Sequence, residues 1–136
     1  MDSCIFCKIV QGEIPSHKIH ETETTLAFLD IDPINIGHSL VIPKEHFENI
    51  YEIPDEILGD LMKSAKKLAK AIKKGLKADG INVTMNNDHA AGQRVFHLHI
   101  HVIPRLHDDG HPIWQGKRNY EEGEKDEVTK KITEAL

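Results

Sequence analysis

Residues His97-Leu98-His99-Ile100-His101-Val102-Ile103 alternate imidazole and apolar side chains without a break, between Phe96 and Pro104. A period of two with β-branched residues predicts a strand whose three imidazoles leave one face while Leu98, Ile100 and Val102 leave the other. The apolar face requires a core to cover it, so the histidine face reads as a working surface. Residues two apart on a strand face are separated by about 6.6 Å, which puts His97 and His101 roughly 13 Å apart. A metal ion with bonds to nitrogen of about 2 Å can take two neighbouring histidines of such a row, hardly all three. One exposed histidine on a strand is ordinarily solvated; three in register need another explanation.

The rest of the chain supplies the core. Residues 1–136 fit a single domain, and a net charge of −5 argues against a general nucleic-acid or anionic-membrane binder. No apolar run approaches the roughly 20 residues of a membrane span, and no signal peptide precedes Cys4, so a cytoplasmic protein with reduced thiols is expected. Strands are predicted over 17–22, 25–29, 39–43 and 81–85, with a brief helical turn over 44–50. A long helix starts at Pro54-Asp55-Glu56 and runs to a cap at Gly80. Ile57, Leu58, Leu61, Met62, Ala65, Leu68, Ala69, Ile72 and Leu76 form its apolar stripe, and its seven lysines read as a solvated face. After Arg105 periodicity is lost; Trp114 stands alone among polar residues, residues 121–127 are acidic, and a short amphipathic helix fits 126–136. The fold class is α+β: about five mostly antiparallel strands, one long helix on a sheet face and short terminal helices.

Two further stretches carry chemistry. Cys4-x-x-Cys7 is compatible with a redox pair, half a zinc site or two small buried residues. The redox reading wants a strand before the motif, for which there is no room. The loop 86–93, Asn86-Asn87-Asp88-His89-Ala90-Ala91-Gly92-Gln93, combines small residues with hydrogen-bonding capacity, so its backbone N–H groups can approach a phosphate.

The triad pattern, with Asn86 and Ala91 to Phe96 upstream, Phe28 to Pro33, Gly37 to His46 and Cys4 to Ile9, resembles the signature of the histidine triad family of nucleotidyl hydrolases and transferases. The match covers most of residues 4–105. The resemblance implies a HIT-like fold, a homodimer joined across its sheets, and a tail from about residue 106 that reaches toward the partner's site. It also implies a structural Zn²⁺ held by Cys4, Cys7, His46 and His97, leaving His99 and His101 for catalysis. In the same way Asp30 is expected on the ribose hydroxyls, and Asn86, Gly92 and Gln93 on the phosphate. Phe6 and Ile31, with Ile5, Ile9 and Phe28, would line the purine. Arg94 departs from the pattern, standing where relatives carry serine or threonine.

A neutral imidazole attacks an anionic phosphorus without the repulsion a carboxylate would meet, and it trades protons near neutrality. The expected enzyme therefore forms a nucleotidyl-His99 intermediate, with His101 on the leaving atom or a phosphate oxygen. It is read as a purine nucleoside phosphoramidase that takes an AMP conjugate and releases AMP, with no redox cofactor. The alternatives are a diadenosine polyphosphate hydrolase, a nucleotide-binding interaction protein with little turnover, and a metalloenzyme ligating through two triad histidines.

Overall fold

The computed structural model describes residues 3–114 and 116–136. Five strands form one antiparallel sheet in the order β1-β2-β3-β5-β4: β1 Lys18–Glu21, β2 Thr25–Leu29, β3 Ser39–Pro43, β4 Gly80–Thr84 and β5 Ile100–Arg105. Around it lie α1 (Ile5–Val10), α2 (Asp55–Gly75) and α3 (Glu124–Ala135). The α+β expectation, with one dominant helix and short terminal ones, is met.

The two faces of the sheet carry different loads. Ala27, Val41, Leu98, Ile100 and Val102 point to one face and pack on Leu61, Ala65, Leu68 and Ile72 of α2. Leu26, Phe28, Leu40 and Ile42 point to the other, beneath Phe6 and Ile9 of α1. Leu40 pairs with His101, so the triad imidazoles share the α1 face. The histidine row is therefore mostly covered: His97 is fully buried and His99 is 8% exposed.

Three local expectations are corrected. Regular pairing of the triad strand begins at Ile100, not His97, because β3 meets β5 only from Val41↔Ile100 onward. Before that point the Leu98 N–H donates to the Phe47 carbonyl at 2.7 Å, which turns the segment from β3 toward the stretch after it. Residues 44–50 form bends and turns rather than a helical turn. Helix α2 stops at Gly75, capped by Leu76 with Lys77 at φ +55°, so Gly80 opens β4 instead of ending the helix.

Arg105 closes β5 with hydrogen bonds to Asp109, Asn82 and the His111 carbonyl, and its guanidinium holds the Asp109 carboxyl well below the usual carboxylate range. Asn35 bridges the Pro104 carbonyl and Asp109, joining the 30–38 loop to this corner. Helix α3 buries no side chain, and Trp114, 82% exposed, caps no part of the core.

The turn into β3 rests on Gly37 at φ +100°, where an added Cβ would meet the end of the Leu76 side chain. Gly37→Ala is expected to destabilise the protein by about 2 kcal/mol, since an L residue is strained in that region. A lower urea midpoint at unchanged m-value would show it; an unchanged midpoint would mean the turn relaxes freely.

Candidate functional site

Helix α1 brings two thiols to the buried end of the triad. Cys4 caps the helix, its sulfur accepting the Cys7 N–H at 3.4 Å, which places both side chains toward His97. Cys4 Sγ lies 3.4 Å from His97 Nδ1, Cys7 Sγ lies 3.5 Å from the same atom and 3.3 Å from His46 Nδ1, and the two Nδ1 atoms are 3.2 Å apart. All four donor atoms fall within 4.8 Å of one another. His97 Nε2 sits 2.8 Å from the Pro43 carbonyl, which can only accept. The ring hydrogen therefore stays on Nε2 and the Nδ1 lone pair faces the thiols, the tautomer a metal ligand needs. Burial pushes His97 down to about 4 and, helped by the neighbouring Cys4, pushes the Cys7 thiol up to about 11. A cation among these atoms would reverse that preference by stabilising thiolate. The cluster can hold a metal.

His99 and His101 form the accessible end. His99 Nδ1 donates to the His97 carbonyl at 2.8 Å, which leaves Nε2 without a hydrogen. Phe6 packs edge-on against His99 with centroids 5.1 Å apart, and the rings of His99 and His101 are 5.0 Å apart. Burial lowers the pKa of His99 and, reinforced by His99 and His38, takes His101 down to about 4. Both rings are accordingly neutral at pH 7.

Asp30, His38 and His101 make a second close group. His38 Nε2 is 2.9 Å from His101 Nδ1 and 3.5 Å from Asp30 Oδ2, while His38 Nδ1 accepts the Ile34 N–H at 3.0 Å. A main-chain N–H cannot reverse its sense, so the hydrogen of a neutral His38 must sit on Nε2. Coordination through that atom would demand an imidazolate. The group is a hydrogen-bonded chain rather than a metal centre. His38 was not singled out from sequence: its diagonal relation to His101 appears only once the Leu40↔His101 register is known.

The loop before the triad is fixed from below. Asp88 holds φ 76° and ψ 158°, a backbone region costly for any residue but glycine. Its N–H donates to Gln93 Oε1 at 2.8 Å and its carboxylate accepts the Tyr51 hydroxyl at 2.8 Å. Gln93, 1% exposed, spends its remaining amide hydrogens on the Glu48 and Val95 carbonyls. Even the Gln93 N–H is engaged, with the Asp88 carbonyl. Gln93 thus braces the loop from inside instead of facing a phosphate, because its amide is the group that satisfies the strained turn. Gly92, exposed at φ 93°, and half-buried Asn86 remain at the surface, with Asn86 Nδ2 only 3.5 Å from where a Gly92 Cβ would be. His89 packs against Phe96 with the rings tilted and their centroids 5.0 Å apart, tying the loop tip to the triad segment.

Of the other expected nucleotide contacts, Asp30 is half-buried, with Oδ1 accepting the Asp32 N–H. Ile31 is 87% exposed, and Phe6 is buried between Phe28 and His99. Arg94 is exposed and forms no ion pair or side-chain hydrogen bond among the described residues.

A family model described as HIT domain matches residues 11–108. An uncharacterized HIT-like protein of Methanocaldococcus jannaschii is 47% identical over 129 residues, covering 95% of this chain and 98% of that protein. Adenosine 5′-monophosphoramidase HNT1 of Saccharomyces cerevisiae is 52% identical over 103 residues, 76% of this chain and 63% of the yeast protein. Among solved structures, a HIT family protein from Bacillus subtilis superposes with TM-score 0.89 at 42% identity, covering 98% of this chain and 97% of the other. A Zn-bound histidine triad family protein from Mycobacterium smegmatis gives TM-score 0.79 at 36% identity, covering 99% of both chains.

Proposed function

Because the chain belongs to the HIT domain family, we propose that it is a hydrolase that splits AMP conjugates through a nucleotidyl-His99 intermediate, acting chiefly as a purine nucleoside phosphoramidase. The observation that carries this reading is the bare Nε2 of His99, fixed by the hydrogen its Nδ1 gives the His97 carbonyl. Asp30 would receive the ribose hydroxyls and Ile31 would lie against the base. Asn86 and the main chain at Gly92 would meet the phosphate oxygens as charge develops on them.

The bond changes balance with one solvent proton. A phosphoramidate protonated on nitrogen is attacked at the α-phosphorus by His99 Nε2; the P–N pair departs with the nitrogen as a free amine. Water then bonds to phosphorus, the P–Nε2 bond returns its electrons to His99, and one proton goes back to solvent with AMP. His101 donates a hydrogen bond to a phosphate oxygen, or to the leaving nitrogen once the broken P–N bond has left it an electron pair.

Zinc is the ion we assign to Cys4, Cys7, His46 and His97. Tetrahedral Zn²⁺ with its usual bond lengths gives S···N edges of about 3.6 Å and an N···N edge of about 3.3 Å, close to the 3.3–3.5 Å of three of the four S···N pairs and the 3.2 Å of the N···N pair. The ion would clamp α1 to the triad segment. The same reading makes the protein a cytoplasmic homodimer, with the tail after residue 106 near the partner's site.

Comparing kcat/KM for AMP-lysine with that for a diadenosine polyphosphate tests the substrate class, and the phosphoramidate is expected to be preferred. Arg94, an exposed cation beside the loop with no ion pair among the described residues, favours the polyphosphate alternative. The reverse ranking would adopt that alternative, and turnover of neither with AMP still bound would favour a binding protein.

A further inference from the structure

We propose that Tyr51 is a positioning residue whose hydroxyl, by holding Asp88, sets the shape of the loop 86–93 beside the triad. The inference rests on the reading above that this loop meets the phosphate of a nucleotide. Two non-glycine residues have positive φ among the described residues, Lys77 at φ 55° and Asp88 at φ 76°. Lys77 follows the end of α2, where a left-handed residue usually stands. Asp88 is different: its ψ of 158° puts it in a region open in practice to glycine alone. Burial does not force this, because Asp88 and residues 89–92 are exposed. An unheld loop would relax to negative φ, so specific partners must hold the conformation.

Those partners come from one short segment, residues 48–51. The Glu48 carbonyl accepts a hydrogen from Gln93 Nε2, and the Ile50 N–H donates to Asn87 Oδ1 at 2.8 Å. Tyr51 adds a side chain to these main-chain contacts, its hydroxyl donating to Asp88 Oδ2 at 2.8 Å. Its own backbone is fixed in turn, since its N–H donates to Oδ1 of buried Asn49. Tyr51 is 73% exposed, so packing does not explain where its phenol lies; the carboxylate does. The same bond raises the phenol pKa above its ordinary value. A hydrogen bond to a carboxylate and the strain of such a backbone are of similar size, so the first can offset the second. The Asp88 carbonyl accepts the Ala91 and Gln93 N–H groups. If Asp88 turned to negative φ, that carbonyl would swing away and the turn that carries Gly92 would lose its anchor. Tyr51 therefore acts on the site through Asp88, without touching substrate.

Calorimetric titration with AMP, turnover of AMP-lysine and thermal unfolding, all on the full chain, test this. Tyr51→Phe removes one exposed hydroxyl and is expected to fold. Its Kd for AMP should rise and its kcat/KM fall, each about tenfold, the scale of a lost hydrogen bond to a charged group. In an Asp88→Gly background, where glycine adopts the same φ without strain, Tyr51→Phe should have no further effect on either quantity. An unchanged Kd in Tyr51→Phe would overturn the inference, whatever happens to Tm. So would a penalty that persists beside the glycine, because Tyr51 would then act on the ligand itself. A wild-type protein that neither binds AMP nor hydrolyses the conjugate would remove the nucleotide reading instead. Amide shifts of residues 86–93 would then decide the local question: they should move in Tyr51→Phe, and shifts confined to the neighbours of residue 51 would overturn the hold on the loop.

Discussion

His99→Ala is expected to lower turnover of an AMP conjugate by about a thousandfold or more while AMP still binds, because the group removed is the one proposed to bond to phosphorus. The expectation follows from the local hydrogen bonding. Only one nitrogen of this ring carries a lone pair toward the site, and no neighbour can substitute: His97 Nδ1 faces the two thiols, and His101 accepts from His38. Alanine also frees the His97 carbonyl and empties the space beside Phe6, so some loss of stability is expected as well. Thermal unfolding of the variant, read beside AMP affinity, separates that loss from chemistry. Brief reaction with labelled substrate, quenching and peptide mass spectrometry should place the adenylyl group on His99 in the wild type and nowhere in the variant. Equal turnover by the two proteins would remove the covalent mechanism.

The parts of this site that were legible in the sequence are those written in a local period. The alternation through residues 97–103 correctly separated Leu98, Ile100 and Val102 from the histidines, and the α2 stripe named the residues that cover the apolar side. Side-chain parity does not depend on which residues are hydrogen-bonded, so it survived even though pairing starts only at Ile100. What a period cannot encode is which distant group answers a given side chain. The phosphate contact expected of Gln93 comes from family resemblance; the inward turn of its side chain depends on Glu48, 45 residues earlier, offering a carbonyl. Nothing in the local pattern marks His38, whose partner lies 63 residues away. Gly80 was a reasonable helix stop until Leu76 and Lys77 supplied the cap. The Cys4, Cys7, His46 and His97 grouping came from family resemblance, and the fold brings those four donors together.

If that grouping holds zinc as proposed, stripping the ion should cost stability and turnover together. A ligand bound only by the folded state stabilises it by about 4 kcal/mol when present at a thousandfold its dissociation constant. For a chain of this size such a loss lowers Tm by roughly 10–20 °C. Prolonged treatment with a strong chelator, or Cys7→Ser, should therefore produce a shift of that order, and zinc returned to the stripped wild type should reverse it. Turnover should fall in parallel, since α1 carries Phe6 against both His97 and His99, and the His97 carbonyl orients the nucleophile. Release of α1 would loosen both supports at once. An ion that instead served the reaction through two triad histidines would predict another pattern, with turnover lost on chelation at an unchanged Tm. That result would transfer the ion from the scaffold to the chemistry.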